Sequence, residues 1–368
     1  MPEKLPPRPS VVWRTELASK SLGGVAATAE YVIVSDRELN DTVDVFRCLR
    51  ADTGKEAWAV RYPAAGALDY GNSPRATPVI RDGLVYLHGA FGTVTCAELA
   101  TGKVVWDMNT HDEFEPAEQP KWGTCSTPLL VGDRLILNPG AKDASLVAVN
   151  AKTGKVLWKS PGRAAGYGSF IHGTFGGVEQ VVGHDADSLG GWDPATGLRL
   201  WRLIPERPGD FNVPTPIAVG GRLFVTTENN GSRLYEFGGD GKIMPRPVAV
   251  NRTLNPDTHT PVVAGNRVFG VSRRLYCLDL ADGLKTVWDA ADSAFAVYGS
   301  AVTDGRRVLV LTLHGELILF DAAAGEFDAV TRMKVFEGDR GVYAHPAFVG
   351  RRAYLRGSTA VVCVDFGR

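Results

Sequence analysis

The sequence lacks long hydrophobic runs, an excess of charge of either sign, and any stretch with helical periodicity. In 368 residues, 40 Lys and Arg face 41 Asp and Glu, which leaves a formal net charge of -1. This balance argues against nucleic acid as a partner, because nonspecific binding needs a large basic surface to release phosphate counterions. No apolar run reaches the length that spans a bilayer. We therefore expect neither a nucleic-acid partner nor a transmembrane segment.

One short phrase recurs along the chain about every 45 residues and ends in tryptophan. Its copies are Ala51-Asp52-Thr53-Gly54-Lys55-Glu56-Ala57-Trp58, Thr101-Gly102-Lys103-Val104-Val105-Trp106, Thr153-Gly154-Lys155-Val156-Leu157-Trp158 and Thr196-Gly197-Leu198-Arg199-Leu200-Trp201. Repeats of this period with strand-like segments indicate propeller blades rather than a helical solenoid. We expect the tryptophans to pack between neighbouring blades.

Within one repeat, four short apolar runs are separated by turn residues, as in one four-stranded blade. Seven complete blades follow from this pattern, over residues 23–62, 74–108, 123–160, 168–204, 212–250, 257–291 and 299–337. The remaining segments 344–349, 352–356 and 361–365 lack a fourth strand, and 11–15, which contains Trp13, has no blade of its own. We predict an all-β, eight-bladed β-propeller of four-stranded antiparallel blades, closed by this N-terminal strand in the last blade. A seven-bladed ring with frayed ends is the alternative.

The domain organisation follows from the repeat, which runs from end to end. Residues 1–10 are predicted to be a Pro-rich tether, and residues 11–368 a single propeller domain. The tether lacks the apolar core of a signal peptide. The protein is then cytoplasmic, or it is periplasmic or envelope-associated if an export signal has been trimmed. We expect a monomer.

The five cysteines form no CxxC or adjacent pair. Cys48, Cys96, Cys277 and Cys363 occupy equivalent points of different repeats, where blade geometry would hold them apart. We expect them to be small buried side chains without disulfides. The spacing of His, Cys, Asp and Glu contains no metal motif, so no metal site is predicted.

The repeated phrase resembles that of quinoprotein-type propellers, a family that includes alcohol dehydrogenases using pyrroloquinoline quinone (PQQ). The family also includes a non-enzymatic eight-bladed lipoprotein of the outer-membrane protein assembly machinery, which is closer to this chain in length. For the dehydrogenases, the resemblance implies an adjacent cysteine pair beside the quinone and calcium held by Glu, Asn and Asp. No segment here matches those motifs. What the resemblance implies is the propeller fold and, because members of the family are usually exported, export of this protein from the cytoplasm.

A ligand site is expected on the face of the propeller where two kinds of connection gather. One kind precedes the inner strand of each blade, and the other joins the two middle strands of each blade. Connections before inner strands supply aromatic residues, and the middle connections supply polar ones, a combination that suits a sugar, a quinone or a peptide. The alternatives are aromatics packed between inner strands and ordinary solvated loops. The candidate ligand-binding residues are Tyr70, Arg75, His88, Trp122, Lys142, Tyr167, His184, Asp185, Glu228, Asn229, Arg273, Tyr298, His314, Tyr343 and Arg356.

Three functions remain open at this stage. The favoured one is a non-catalytic binding or scaffold propeller, possessing no cofactor, that recognises a protein or glycan through this face. The second is a PQQ- and Ca²⁺-dependent dehydrogenase, with Trp122 stacked on the quinone, Lys142 or Arg75 pairing its carboxylates and Asp185 accepting a proton. The third is a carbohydrate-active hydrolase or lyase, for which no acid–base pair stands out.

Overall fold

The structure is a computed structural model that describes residues 1–6 and 8–367. Pro7 of the predicted tether and Arg368 at the end of the predicted domain lie outside the described residues. The strands form eight four-stranded antiparallel sheets, each a meander of sequential strands except the one that takes in the first strand. The predicted class, an all-β eight-bladed propeller, is confirmed. No helix among these residues is long and apolar enough to cross a membrane.

Strand β1 (Ser10–Glu16) is followed by four complete blades. The strands of these blades are, for blade 1, β2 (Ala26–Ala27), β3 (Tyr31–Arg37), β4 (Val43–Arg50) and β5 (Glu56–Pro63); for blade 2, β6 (Val79–Arg81), β7 (Leu84–His88), β8 (Thr93–Glu98) and β9 (Val104–Asn109); for blade 3, β10 (Leu129–Val131), β11 (Arg134–Leu137), β12 (Leu146–Asn150) and β13 (Val156–Ser160); and for blade 4, β14 (Ile171–Phe175), β15 (Val178–His184), β16 (Leu189–Trp192) and β17 (Arg199–Leu203).

Blades 5 to 8 continue the same order. They are blade 5, β18 (Ile217–Val219), β19 (Arg222–Thr227), β20 (Gly231–Tyr235) and β21 (Ala249–Asn251); blade 6, β22 (Val262–Ala264), β23 (Arg267–Val271), β24 (Leu275–Asp279) and β25 (Lys285–Ala290); blade 7, β26 (Gly299–Thr303), β27 (Arg307–Thr312), β28 (Glu316–Asp321) and β29 (Ala329–Lys334); and blade 8, β30 (Ala347–Val349), β31 (Arg352–Arg356) and β32 (Ala360–Asp365).

Within residues 1–6 and 8–367, helix is confined to two short segments. The α-helix α1 (Thr110–Phe114) follows blade 2, and a 3₁₀ turn, Ser293–Phe295, follows blade 6. The sequence pattern did not predict α1, because five residues are too few to show an apolar stripe at helical spacing.

The chain divides into two compact units. The first comprises residues 1–109, 120–125 and 297–368, with blades 1, 2, 7 and 8, and the second comprises residues 110–119 and 126–296, with blades 3 to 6. Within each unit, hydrophobic clusters join neighbouring sheets, for example blades 8 and 1 in the first and blades 4 and 5 in the second. Burial of these sheet faces supplies most of the stabilisation, since the driving force scales with apolar area removed from water.

Strand β1 completes blade 8 by antiparallel pairing with β32. Ser10 lies opposite Asp365, Trp13 opposite Cys363, and Glu16 opposite Ala360. The Trp13 side chain is 8% exposed and packs into the cluster that joins blade 8 to blade 1. The prediction that the N-terminal strand supplies the missing strand of the last blade is confirmed.

The segment before β1 also contacts the first unit. Leu5 is buried in the core shared by blades 7 and 8, and its backbone nitrogen donates to the Thr331 hydroxyl at 2.8 Å. The amino group of Met1 lies 2.9 Å from Asp304. These contacts hold the segment predicted as a tether against blades 7 and 8.

Each repeated tryptophan lies opposite a small residue of the adjacent strand, and the strand register shifts beside this pair. The pairs are Trp13–Cys363, Trp58–Cys48, Trp106–Cys96, Trp158–Ala148, Trp201–Gly191 and Trp288–Cys277. Four cysteines therefore serve as small partners of an indole. They are fully buried free thiols, and burial raises their pKa values to about 11 or 12.

The Thr-Gly turn of the phrase is explained by the tryptophan of the preceding blade. A Cβ on Gly102 would lie 2.6 Å from the Trp58 ring, and Gly102 has a φ of +73°. The Trp58 indole nitrogen donates to the Leu99 carbonyl at 2.9 Å. Equivalent contacts join Trp13 to Gly54 and Trp158 to Gly197. Only glycine satisfies both the left-handed backbone and the close approach of the indole.

Candidate functional site

An exposed aromatic ring on the loop between blades 1 and 2 lies near two half-buried aromatic residues of other connections in the first unit. Tyr70 is 73% exposed, has a φ of +65°, and its ring lies 6.5 Å from the half-buried Trp122 ring in an edge-on arrangement. Tyr343 is close enough for Tyr70 to influence its phenol electrostatically. We call Tyr70, Trp122 and Tyr343 the aromatic surface.

The buried Arg75 side chain shapes the loop that carries Tyr70. One terminal guanidinium nitrogen donates to the Asp69 carbonyl at 2.8 Å and to the Gly71 carbonyl, and the other donates to the Ser73 carbonyl. Arg75 is 8% exposed, so these carbonyls replace water as acceptors for the two terminal nitrogens of its guanidinium. The loop is thus wrapped around a guanidinium and presents Tyr70 outward.

Three further contacts tie this loop to its surroundings. Asn72 accepts a hydrogen bond from the Leu68 backbone at 2.9 Å and donates to Asp41 at 2.7 Å. The Lys121 ammonium lies 3.1 Å from the Asp69 carboxylate. The sequence patterns did not single out Asn72, Asp69 or Lys121 as site residues, because isolated polar residues in a loop carry no periodic signal.

A buried charge cluster lies behind the loop on blade 1. The Arg37 guanidinium pairs with Asp44 and Asp41 and donates to the Ala64 carbonyl at 2.6 Å. Burial raises the pKa of Asp44 to about 6, against the opposing effect of Arg37. Arg37 is 1% exposed, and all three of its guanidinium nitrogens donate hydrogen bonds. This cluster therefore supports the loop and is not available to a ligand.

The other predicted residues of the first unit differ in exposure. Tyr298 is buried, its ring centroid lies 5.2 Å from that of Tyr343 with the two rings tilted, and its hydroxyl donates to the Tyr343 carbonyl at 3.0 Å. Arg356 is fully buried and donates to the carbonyls of Ser35 and Ser19. His88 is also buried, whereas His314 is exposed. The position of these residues in the repeat placed them in connections on one face of the propeller. It did not determine whether each side chain points into the interior or into solvent.

In the second unit, His184 ends β15 of blade 4 and Asp185 begins the turn that follows, and both side chains are buried. Asp185 accepts hydrogen bonds from the Ser188 backbone at 2.7 Å and from Arg199 at 2.9 Å, which closes a tight turn. His184 is 4% exposed, and no group among the described residues hydrogen-bonds its ring nitrogens. Burial and the nearby Arg233 lower its pKa to about 4, so the ring is neutral at pH 7.

The remaining predicted residues of the second unit are more accessible. Lys142, Asn229 and Arg273 are exposed, and Tyr167 and Glu228 are half-buried. Glu228 and Asn229 form the turn between β19 and β20 and line a cleft of about 370 Å³. Of the predicted residues, Tyr70, Trp122 and Tyr343 therefore form the aromatic surface of the first unit, and Glu228 and Asn229 line a polar cleft in the second. The other predicted residues belong to neither group.

Two of the roles considered for a quinone site, those of Arg75 and Asp185, do not fit the contacts of these side chains. Both terminal nitrogens of Arg75 are bound to carbonyls of its own loop, and the Asp185 carboxylate is held by Arg199 and Ser188. Among residues 1–6 and 8–367, no group of three or more His, Cys, Asp or Glu side chains is arranged to hold a metal ion.

Comparison with known proteins identifies the family. The family described as outer membrane protein assembly factor BamB matches residues 6–173 and 45–290. The chain belongs to this family.

Individual relatives fall into two groups. The chain is 33% identical to the quinoprotein alcohol dehydrogenase PedH of Pseudomonas putida over 144 residues, which cover 34% of this chain and 22% of PedH. The crystal structure of BamB from Moraxella catarrhalis superimposes with a TM-score of 0.68 at 15% identity, over 97% of this chain and all of that one. The quinohemoprotein alcohol dehydrogenase from Comamonas testosteroni gives a TM-score of 0.64 at 15% identity, over 98% of this chain and 77% of that one. At these identities the two structures show a shared fold.

Proposed function

We propose that this protein is a non-catalytic binding propeller of the cell envelope that holds a protein partner through the aromatic surface. The observation that carries the proposal is the Tyr70 ring, 73% exposed on a loop wrapped around Arg75. Exposed tyrosine and tryptophan rings on a rigid support supply much of the energy of protein interfaces. Rigidity matters because a loop that is ordered before binding loses less entropy on association.

The family supports the choice of partner. Its description is that of an outer-membrane protein assembly factor, and the solved BamB structure aligns along its full length. By contrast, the match covers only 22% of the length of PedH and 25% of the quinohemoprotein alcohol dehydrogenase ADH-IIG. We therefore propose that the partner is a protein of outer-membrane assembly.

A binding measurement with three variants tests the proposal. The full chain is titrated with the purified outer-membrane assembly proteins of its host, and the dissociation constant is measured for wild type, Tyr70→Ala, Tyr70→Phe and Val105→Ala. Tyr70→Ala is expected to weaken binding about 30-fold, as for an aromatic hot spot, while Tyr70→Phe keeps most of it. Val105, 45% exposed on β9, is the matched control and leaves the constant unchanged.

Two results would overturn this assignment. One is binding that is equal in all four proteins, and the other is Tyr70-dependent binding of a glycan with no protein bound. A separate titration with PQQ and Ca²⁺ addresses the enzyme alternative. We expect no change in absorbance or melting temperature and no alcohol oxidation, and turnover would refute the non-catalytic function.

A further inference from the structure

A polar cleft lies in the second unit and contains no residue of the aromatic surface. Three connections build it: the segment after β17, the turn between β19 and β20, and the segment after β21. Its volume of about 370 Å³ falls in the range of small-ligand sites. The side chains contributed by these connections are Arg207, Pro208, Glu228, Asn229, Arg252 and Asn255.

The cleft walls are fixed by a buried layer of hydrogen bonds. Asn230, 1% exposed, accepts from the Arg207 backbone nitrogen at 2.9 Å and donates to the Arg207 carbonyl at 2.8 Å. Asp210 accepts from Asn230 at 2.6 Å and from the Asn229 backbone at 2.8 Å. Asn255 donates to the Glu228 carbonyl at 3.2 Å. The three connections are thus locked to one another before any ligand arrives.

Gly231 keeps one wall open. It lines the cleft with a φ of +69°, and a Cβ there would lie 2.6 Å from the Asn251 carbonyl oxygen. A larger residue would therefore displace the segment that carries Arg252.

Two charged groups in the cleft have hydrogen-bonding capacity that no described residue uses. The Oε2 atom of Glu228 is buried without a hydrogen bond among the described residues, while Oε1 accepts from the Phe211 backbone. No described group pairs with the Arg207 guanidinium, whose side chain is exposed, whereas Arg252 is paired with Glu206 at 3.0 Å. A buried acceptor without a donor is costly, and a ligand that donates to it removes the cost.

Burial raises the pKa of Glu228, and the nearby carboxylates of Asp210 and Asp257 add to the effect. A hydrogen bond donated to this carboxylate would stabilise its charged form, which burial and the neighbouring charges disfavour.

The complementary ligand carries a carboxylate and several hydroxyl groups. A guanidinium binds carboxylates through two parallel hydrogen bonds, which suits Arg207. Asparagine amides both donate and accept, as hydroxyl groups do, whereas an ammonium group only donates.

We propose that this cleft binds a sugar acid, with the sugar carboxylate on Arg207 and a hydroxyl group donating to Oε2 of Glu228. The site shares no residue with the aromatic surface and does not depend on the proposed function.

Calorimetric titration of the full chain with D-glucuronate tests this proposal. The wild-type protein is expected to be saturated by less than ~10 mM D-glucuronate. D-glucose, which has no carboxylate, is expected to bind at least about 10-fold more weakly. Arg207→Gln and Glu228→Gln should each weaken D-glucuronate at least about 10-fold. Arg246→Gln removes an exposed arginine outside the cleft lining and should bind as wild type does.

Melting temperatures of the variants establish that each is folded, which is expected for Arg207→Gln because the side chain is exposed. The proposal is overturned if wild type does not saturate, or if Arg207→Gln binds D-glucuronate as wild type does. Tighter binding of L-alanine than of D-glucuronate would also overturn it, because the cleft would then be an amino-acid site.

Discussion

Glycine and tryptophan explain the repeated phrase as a contact between neighbouring blades. The indole of one blade covers the turn of the next, donates to its backbone and leaves no room for a side chain at the glycine. The sequence pattern predicted the packing of tryptophan between blades, but it did not show that the glycine is the residue it packs on. That contact joins segments about 40 residues apart, as between Trp58 and Gly102, which local spacing does not encode.

Substitution of Gly102 tests this contact. Gly102→Ala is expected to lower the free energy of unfolding by about 2–5 kcal/mol, because left-handed strain adds to the clash with Trp58. Gly83 is the matched control in the same blade, with a φ of +76° and no heavy atom within 4 Å of the position that a Cβ would take. Gly83→Ala should cost about 1–2 kcal/mol, from strain alone. Equal losses in urea denaturation would show that the indole contact contributes nothing.

The buried His184 predicts how stability depends on pH. Its native pKa of about 4 lies below the ordinary value of 6.5, so the unfolded chain binds more protons between these two values. The free energy of unfolding should therefore fall as pH decreases from 6.5 to 4, by about 3 kcal/mol from this residue.

Replacing the ring isolates that contribution. In His184→Gln, the loss of stability between pH 6.5 and pH 4 should be smaller than in wild type by about the same 3 kcal/mol. Urea denaturation at several pH values measures both slopes. Parallel slopes in the two proteins would mean that His184 is not a buried neutral group.

Strand β1 completes the last blade with a segment from the other end of the chain. It covers the edge of β32 and brings Trp13 into the core between blades 8 and 1. Without it, β32 would expose unpaired backbone groups and an apolar face, which promotes association between chains. The repeat pattern predicted that β1 completes blade 8, because the last blade had only three strands and the N-terminal strand had no blade of its own.

Truncating Trp13 should weaken this closure strongly. Trp13→Ala is expected to cost about 3–5 kcal/mol, through lost burial and an unfilled cavity. Val12, 41% exposed on the same strand, is the control, and Val12→Ala should change stability by less than about 0.5 kcal/mol. Thermal unfolding compares the two, and similar melting temperatures would contradict the role of β1 in the core.

Across the whole chain, the repeat was sufficient to predict the fold but not the orientation of side chains at the proposed site. Turn residues and the tryptophan period defined eight sheets correctly. Arg75, His184, Asp185 and Arg356 were predicted at a ligand-facing rim, yet each is buried and Arg75, Asp185 and Arg356 are held by neighbouring groups. A loop position gives the location of a residue, while burial depends on contacts with distant segments.

The proposed function depends on Tyr70 meeting a protein partner in the cell. A photo-crosslinking amino acid placed at position 70 of the full chain, in the native host, tests this most directly, with the same residue at position 105 as the control. We predict a covalent adduct with an outer-membrane assembly protein from position 70 and none from position 105. Absence of an adduct at position 70, or the same adducts at both positions, would contradict the account.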